Sequence, residues 1–428
     1  MMLLARRHRL SSAQLNDIAW GRPDVQAVQV LFDADDSRRR LLLAVALRRF
    51  DQAEPAVLEA LAVLQAAQRR DQRMVAELLR ISWLGPWATG LLSRRHRKTQ
   101  QPANRLGALA AVAALRTGID ARLAVDLDDG KLHLPGTGTL TVEDHPNTEA
   151  VLESRGGRLD ITVASHRLRL PTTPTRDWFP VRTVQEGALR LLIDDLHPGR
   201  DCFAEPPAQR LSEAAFRRWR DVTIASWRLL CRATPAFARQ VAQGIRVIVP
   251  LAALAHGMDT SVSCVDALGA IATTTPSDPV RLAVTMVHEW SHSLLNGILG
   301  FVDLLQDPAG AQPSLYFAPW RPDPRPISGV LHGTFAFLAV AETWQALLTH
   351  DGDEQAAAEL ALRRLQLTEV LAMLPTAPEL SEQGRRFVDI LRRRNAALMD
   401  TPLHPRVVAA ATARLDEQRA GWIRQRGS

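Results

Sequence analysis

The sequence predicts an α+β fold, mostly helical with a β-rich middle segment. Apolar residues recur at helical spacing before residue 118, alternate at period two between Gly-containing turns after it, and return to helical spacing beyond residue 206. With 428 residues and 46% apolar content, the chain can bury a sizeable core. Three regions are expected: a helical N-terminal region over 1–118, a β-rich segment over 119–205, and a catalytic, metal-binding region over 206–428.

Helical spacing is clearest over 41–50, 55–81 and 103–115, with Pro55 suited to a first helical turn. Asp129-Gly130 and Gly156-Gly157 then join alternating stretches at 121–125 and 159–163, as hairpin turns do. The β character runs on to residue 194, and 198–207 reads as a linker. A long helix is expected over 212–244, a short apolar strand over 246–250, and a Val-, Ile-, Thr- and Ser-rich strand over 261–274. Ser277-Asp278-Pro279 supplies a helix cap with proline close behind, so this strand leads directly into a helix over 280–299. Residues 306–326, rich in Pro, Gly, Asp and Trp, form an ordered loop, and helices follow over 327–348, 354–374, 379–394 and 404–423.

Composition excludes several classes. The net charge of +6 is almost wholly arginine, since Lys98 and Lys131 are the only lysines, and acidic residues are interleaved with it. Charge spread this way argues against a nucleic-acid partner, and the densest run, Arg94 to Lys98, reads as a solvated loop. No apolar stretch of about 18 residues exists, so no membrane span is expected. Cys202, Cys231 and Cys264 form no CxxC pair, which removes a zinc ribbon and suits a reducing cytoplasm. The N-terminal MMLLARRHRL is too short in its apolar part for a secretory signal, so the chain is expected to start at Met1 or Met2.

The chemistry lies in His288-Glu289-Trp290-Ser291-His292, an HExxH motif on the capped helix. At 3.6 residues per turn the two histidines share a face, about 6 Å apart, and can converge on one metal ion with Glu289 beside them. The alternative is a pair of packed, hydrogen-bonded histidines, but Val284, Val287, Trp290, Leu294 and Leu295 already fill the apolar stripe. A strand feeding such a helix makes a zincin-like unit. A metzincin would need Gly and His at positions that hold Leu295 and Ile298, so that class is excluded. Asn296 lies one turn further on the same face. Asp303 falls on it too, about 16 Å from His292 along a continuous helix, too far to share the ion.

The third ligand must come from another segment. His332 and Glu342 on the next helix are the candidates, and a structural role for His332 stays open at this point. Between the two helices, the proline-fixed stretch Tyr316-Phe317-Ala318-Pro319-Trp320-Arg321-Pro322-Asp323-Pro324-Arg325-Pro326 holds two arginines. They can present planar forks to a carboxylate, or pin the loop through Asp323.

Together, TMVHEWSHSLL, YFAPWRPDPRP and GVLHGTFAFLAVAETW, in this order, resemble the α-ketoglutarate-dependent HExxH-type peptide β-hydroxylases of ribosomal-peptide modification clusters, over about residues 276–344. The resemblance implies an Fe(II), 2-oxoglutarate and O2-dependent dioxygenase that hydroxylates the β-carbon of a residue in a ribosomally made precursor peptide. It implies that His288, His292 and His332 hold the metal. Chemistry then assigns Arg321 or Arg325 to the cosubstrate carboxylate and Glu289 to a supporting role beside the ligands. The edge of the 261–274 strand is a candidate for taking an extended peptide. The alternatives are a zinc metallopeptidase with His288, His292 and Glu342 as ligands and Glu289 as base, and a metal-free peptide-recruiting protein.

Overall fold

The computed structural model describes residues 7–48, 55–80, 83–92, 102–145, 148–203, 205–253, 259–276, 278–307 and 314–426. The Arg94 to Lys98 run, Met1, Met2 and Ser277 of the expected cap lie outside the described residues. The fold is mixed α+β, with helices dominating and several small sheets.

The chain opens with α1 (Ser12–Ala19), α2 (Val25–Arg48), α3 (Pro55–Arg70), α4 (Gln72–Leu79), α5 (Leu84–Leu92) and α6 (Pro102–Thr117). The stretch expected as one helix over 55–81 is broken because Asp71 turns extended and caps α4, its carboxylate accepting the Met74 N–H. Next come β1 (Ala121–Asp126), β2 (Lys131–Leu134), β3 (Gly138–Thr141), β4 (Glu149–Arg155), β5 (Arg158–Val163), β6 (His166–Leu170) and β7 (Trp178–Pro180). They form an antiparallel sheet ordered β1-β4-β5-β6 and a second ordered β2-β3-β7. Gly156 and Gly157 both take positive φ, 54° and 76°, which the two-residue turn from β4 to β5 requires.

The functional half is organised by a five-stranded sheet. Its members are β8 (Arg182–Glu186), β9 (Leu189–Ile193), β10 (Val247–Pro250), β11 (Ser261–Ser263) and β12 (Ala270–Thr273), in the order β11-β12-β10-β9-β8. The central three are parallel, and β11 runs antiparallel along one edge. The expected single strand over 261–274 is therefore two, folded back through residues 264–269. Crossing from β9 to β10 are α7 (Glu213–Ala233) and α8 (Pro235–Gly244), where one helix was expected; Pro235 removes the N–H that would have continued it. Beyond the sheet follow α9 (Pro279–Leu299), β13 (Leu315–Tyr316), β14 (Arg325–Pro326), α10 (Ile327–Asp351), α11 (Glu354–Met373), α12 (Glu382–Leu398) and α13 (Pro405–Arg426).

Packing groups these elements into two large hydrophobic cores. One joins α3 to α6 with the two antiparallel sheets; the other joins α1 and the first half of α2 to the five-stranded sheet and α7 to α12. α9 sits in the second core, fully burying Met286, Val287, Leu295 and Ile298. Trp290 stacks on Phe32 at 6.3 Å and lies flat on Gly244, where a Cβ would come within 2.3 Å of the ring. The face of α9 opposite this anchorage is the one that carries the histidines.

Candidate metal centre

Asp278 caps α9 by accepting the Arg281 N–H, and Pro279 starts its first turn. On the cavity-facing side, one turn apart, the half-buried His288 and His292 bring their Nε2 atoms to 3.1 Å, with rings at 87° to one another. Two nitrogens bound to one ion at about 2.1 Å and this far apart subtend roughly 95° at it. Without the ion the same contact is a hydrogen bond, one ring donating and the other accepting.

His332 reaches the same cavity from the first turns of α10, its ring 5.7 Å from that of His292. Rings sharing one ion have centres about 4.5–5.2 Å apart. The His288–His292 pair, at 4.6 Å, meets that condition, and His332 stands roughly half an ångström outside it. As the side chains are placed, no three His, Cys, Asp or Glu among the described residues form a ready metal-holding group.

Electrostatics suit the histidines to the role. Burial pushes His288 and His332 down to about 4, and His292 well below its ordinary value, helped by its two neighbouring imidazoles. All three are neutral at pH 7, the form that binds metal. Glu289 behaves oppositely: burial raises it to about 7 against the Ser261 and Ser263 hydroxyls, which lower it. Ser261 donates to Glu289 Oε1 at 2.7 Å, whereas Oε2 is buried with no partner and Oε1 lies 4.0 Å from His288 Nε2. A buried carboxylate oxygen left unsatisfied, on the residue next to His288, is a group that an ion's bound water would complete. His288 and His292 thus fit one divalent ion as placed, and His332 would have to move about half an ångström to join them.

The surrounding cavity encloses about 640 Å³. Its walls include β11, Asn296, Trp320, Arg321, Arg325 and Phe337. Two glycines of α10 let the loop approach: a Cβ on Gly333 would lie 2.4 Å from the Trp320 indole, and one on Gly329 would lie 3.0 Å from Arg325 Nε. The short β13–β14 ladder pairs Tyr316 with Arg325 and closes the loop. Asp323 binds both arginines, accepting from Arg321 Nε at 2.8 Å and Arg325 Nη1 at 3.3 Å. The loop is therefore pinned through Asp323, and both arginines are among the residues that line the cavity.

The structure separates the other candidates. Glu342 does not line the cavity: it forms a two-pronged pair with Arg394, 2.5 and 2.7 Å, about 15 Å along α10 from His332. Asp303 is not on the metal helix, which ends at Leu299; its carbonyl accepts from Ser381 instead.

Four contributors were not visible in the sequence. Ser261 and Ser263 are linked to Glu289 only by the sheet, and Phe337 edges the His288 ring at 4.9 Å. Arg363 on α11 lies over the Phe337 ring, 4.8 Å from its centre, and lowers His288 by its charge. No described helix is long and apolar enough to cross a membrane. Compared with protein-family models and with curated proteins, the chain matches none.

Proposed function

We propose that the protein is an Fe(II)- and 2-oxoglutarate-dependent dioxygenase that hydroxylates the β-carbon of a residue in a ribosomally made precursor peptide. The resemblance of the three motifs supports the reaction type. The observation that carries the reading is the joint presence in one cavity of three neutral histidines and two arginines held by a rigid loop, with Glu342 tied elsewhere. His288, His292 and His332 would hold the iron, which with 2-oxoglutarate supplies the oxidising power to place one oxygen atom of O2 into a C–H bond. Such a site needs open positions beside its protein ligands, and three ligands from two helices leave them.

The chain's own groups do the rest. Arg325, backed by Gly329 and fixed by the β13–β14 ladder, presents a fork for the far carboxylate of the keto acid, with Arg321 beside it. Asp323 aims both forks and would loosen its hold as the keto acid's carboxylate competes for them. Glu289, fixed by Ser261, is placed to orient the imidazoles or a bound water. Phe337 and Trp320 wall off one side and exclude water. β11, as an edge strand lining the cavity, is placed to pair with an extended peptide backbone. A cytoplasmic setting accords with the free Cys202, Cys231 and Cys264.

One observation favours a second reading. A buried glutamate raised to about 7 within HExxH is suited to be the general base of a zinc peptidase. Its third ligand would then be His332 rather than Glu342. Incubating the purified protein with Fe(II), 2-oxoglutarate and the candidate peptide decides: a mass gain of one oxygen with succinate supports hydroxylation. Cleavage that needs no 2-oxoglutarate supports the peptidase, and no uptake of iron or zinc supports a metal-free recruiter.

A further inference from the structure

A second cavity, of about 360 Å³, shares no lining residue with the histidine cavity and opens between α6, the β1–β2 turn, His197 and Pro198. It is built around His197. The Asp194 carboxylate accepts the His197 backbone N–H, the ring lies flat on Trp83 at 4.7 Å, and its Nδ1 accepts the Gly199 N–H at 3.0 Å. A Cβ at Gly199 would sit 2.6 Å from that of Trp83, so only glycine permits this turn. With Nδ1 accepting, the neutral ring must carry its proton on Nε2, which no described residue accepts.

His133 stands 5.5 Å from His197, its Nδ1 engaged with the Thr139 hydroxyl at 2.9 Å. Arg105 lines the same cavity, half-buried over Trp87, and its guanidinium makes no hydrogen bond to any described residue. Lys131 is exposed at the mouth, while Asp126 and Asp128 sit on the exposed rim. The interior is thus rich in N–H donors, with the charge of Arg105 partly balanced by Asp128 and Asp201. The Arg105 guanidinium feels the charges of Asp128 and Asp201 without a hydrogen bond to either, so its N–H groups stay available to a ligand.

We infer that this cavity binds the oxyanion of a small molecule, a carboxylate or a phosphate, with Arg105 and the His197 Nε2–H as donors and Lys131 closing the mouth. Nothing in this rests on the chemistry of the HExxH helix. Calorimetric titration of the full-length protein with inorganic phosphate and, separately, malonate tests it and distinguishes the two sources. The expected result is saturable one-site binding of at least one of them, weakened about 10- to 100-fold by Arg105→Gln. Lys131→Gln, at an exposed position that cannot endanger folding, should weaken it several-fold. Arg325→Gln in the other cavity should leave it unchanged. No saturable binding of either anion overturns the inference, as does binding that survives Arg105→Gln and Lys131→Gln or is abolished by Arg325→Gln.

Discussion

Replacing Gly333 by alanine tests whether the loop and the metal helices form one mechanical unit. The new Cβ would lie 2.4 Å from Trp320 Cζ2 and 2.5 Å from both Cε2 and Nε1. Ordinary carbon contacts are about 3.5–4.0 Å, so the indole must retreat by more than ~1 Å. Trp320 rests on Phe337 at 5.0 Å, and Phe337 edges His288 at 4.9 Å, so the movement is passed toward a metal ligand. Overpacking costs about 1–3 kcal/mol, and the half-buried indole can yield outward, which places the loss near the lower figure. A shift of about 1 Å at reacting groups costs on the order of a hundredfold in rate. The expected outcome is a Tm lower by a few degrees but turnover reduced far more than stability. Trp320→Phe, which removes the nearest atom, should recover part of both in the double variant. A Gly333→Ala protein with unchanged Tm and turnover would refute the argument that Trp320 is held against α10.

Other consequences can be checked alongside. In protein stripped of metal, Glu289→Gln should raise stability above pH 7: the folded-state rise from 4.5 to about 7 means that wild-type stability falls as pH climbs through that window, by roughly 3 kcal/mol, and denaturant melts at pH 5 and 8 measure it. The histidines act in the opposite sense, their lowered values removing stability as pH falls from 6.5 through about 4, so metal uptake measured by calorimetry should persist at pH 6. Glu342→Gln should cost about 2–3 kcal/mol by leaving Arg394, only 2% exposed, half-paired, while metal affinity stays unchanged; loss of the metal would restore Glu342 as a ligand. Arg325→Gln should raise the KM for 2-oxoglutarate about tenfold or more, and the more exposed Arg321→Gln should raise it less.

Much of the site was legible because it is local. The HExxH spacing fixes one helix face, and Asp278-Pro279 marks where that helix starts, so the 3.1 Å approach of His288 and His292 follows from periodicity. His332 could be read as a candidate only, since nothing within one helix says which neighbour it will face. Glu289's anchorage depends on Ser261, 28 residues away across a sheet edge, and no local pattern encodes that pairing. The helix breaks at Asp71 and Pro235 were overlooked because apolar periodicity continues through both, although each residue carries its own stop signal. Asp303 was placed on a helix that ends at Leu299, where the apolar pattern runs on into residues 301–304 and the helix does not. The two-core packing is a matter of long-range contact: α2 spans both cores, which its sequence cannot announce.

The most direct measurement is visible absorption of the anaerobic Fe(II)-loaded protein on addition of 2-oxoglutarate. Chelation of the keto acid to an iron held by His288, His292 and His332 predicts a charge-transfer band that saturates at one equivalent, disappears in His332→Ala and weakens in Arg325→Gln. A band that is absent from the wild-type protein, or that persists undiminished in His332→Ala, would contradict the three-histidine centre.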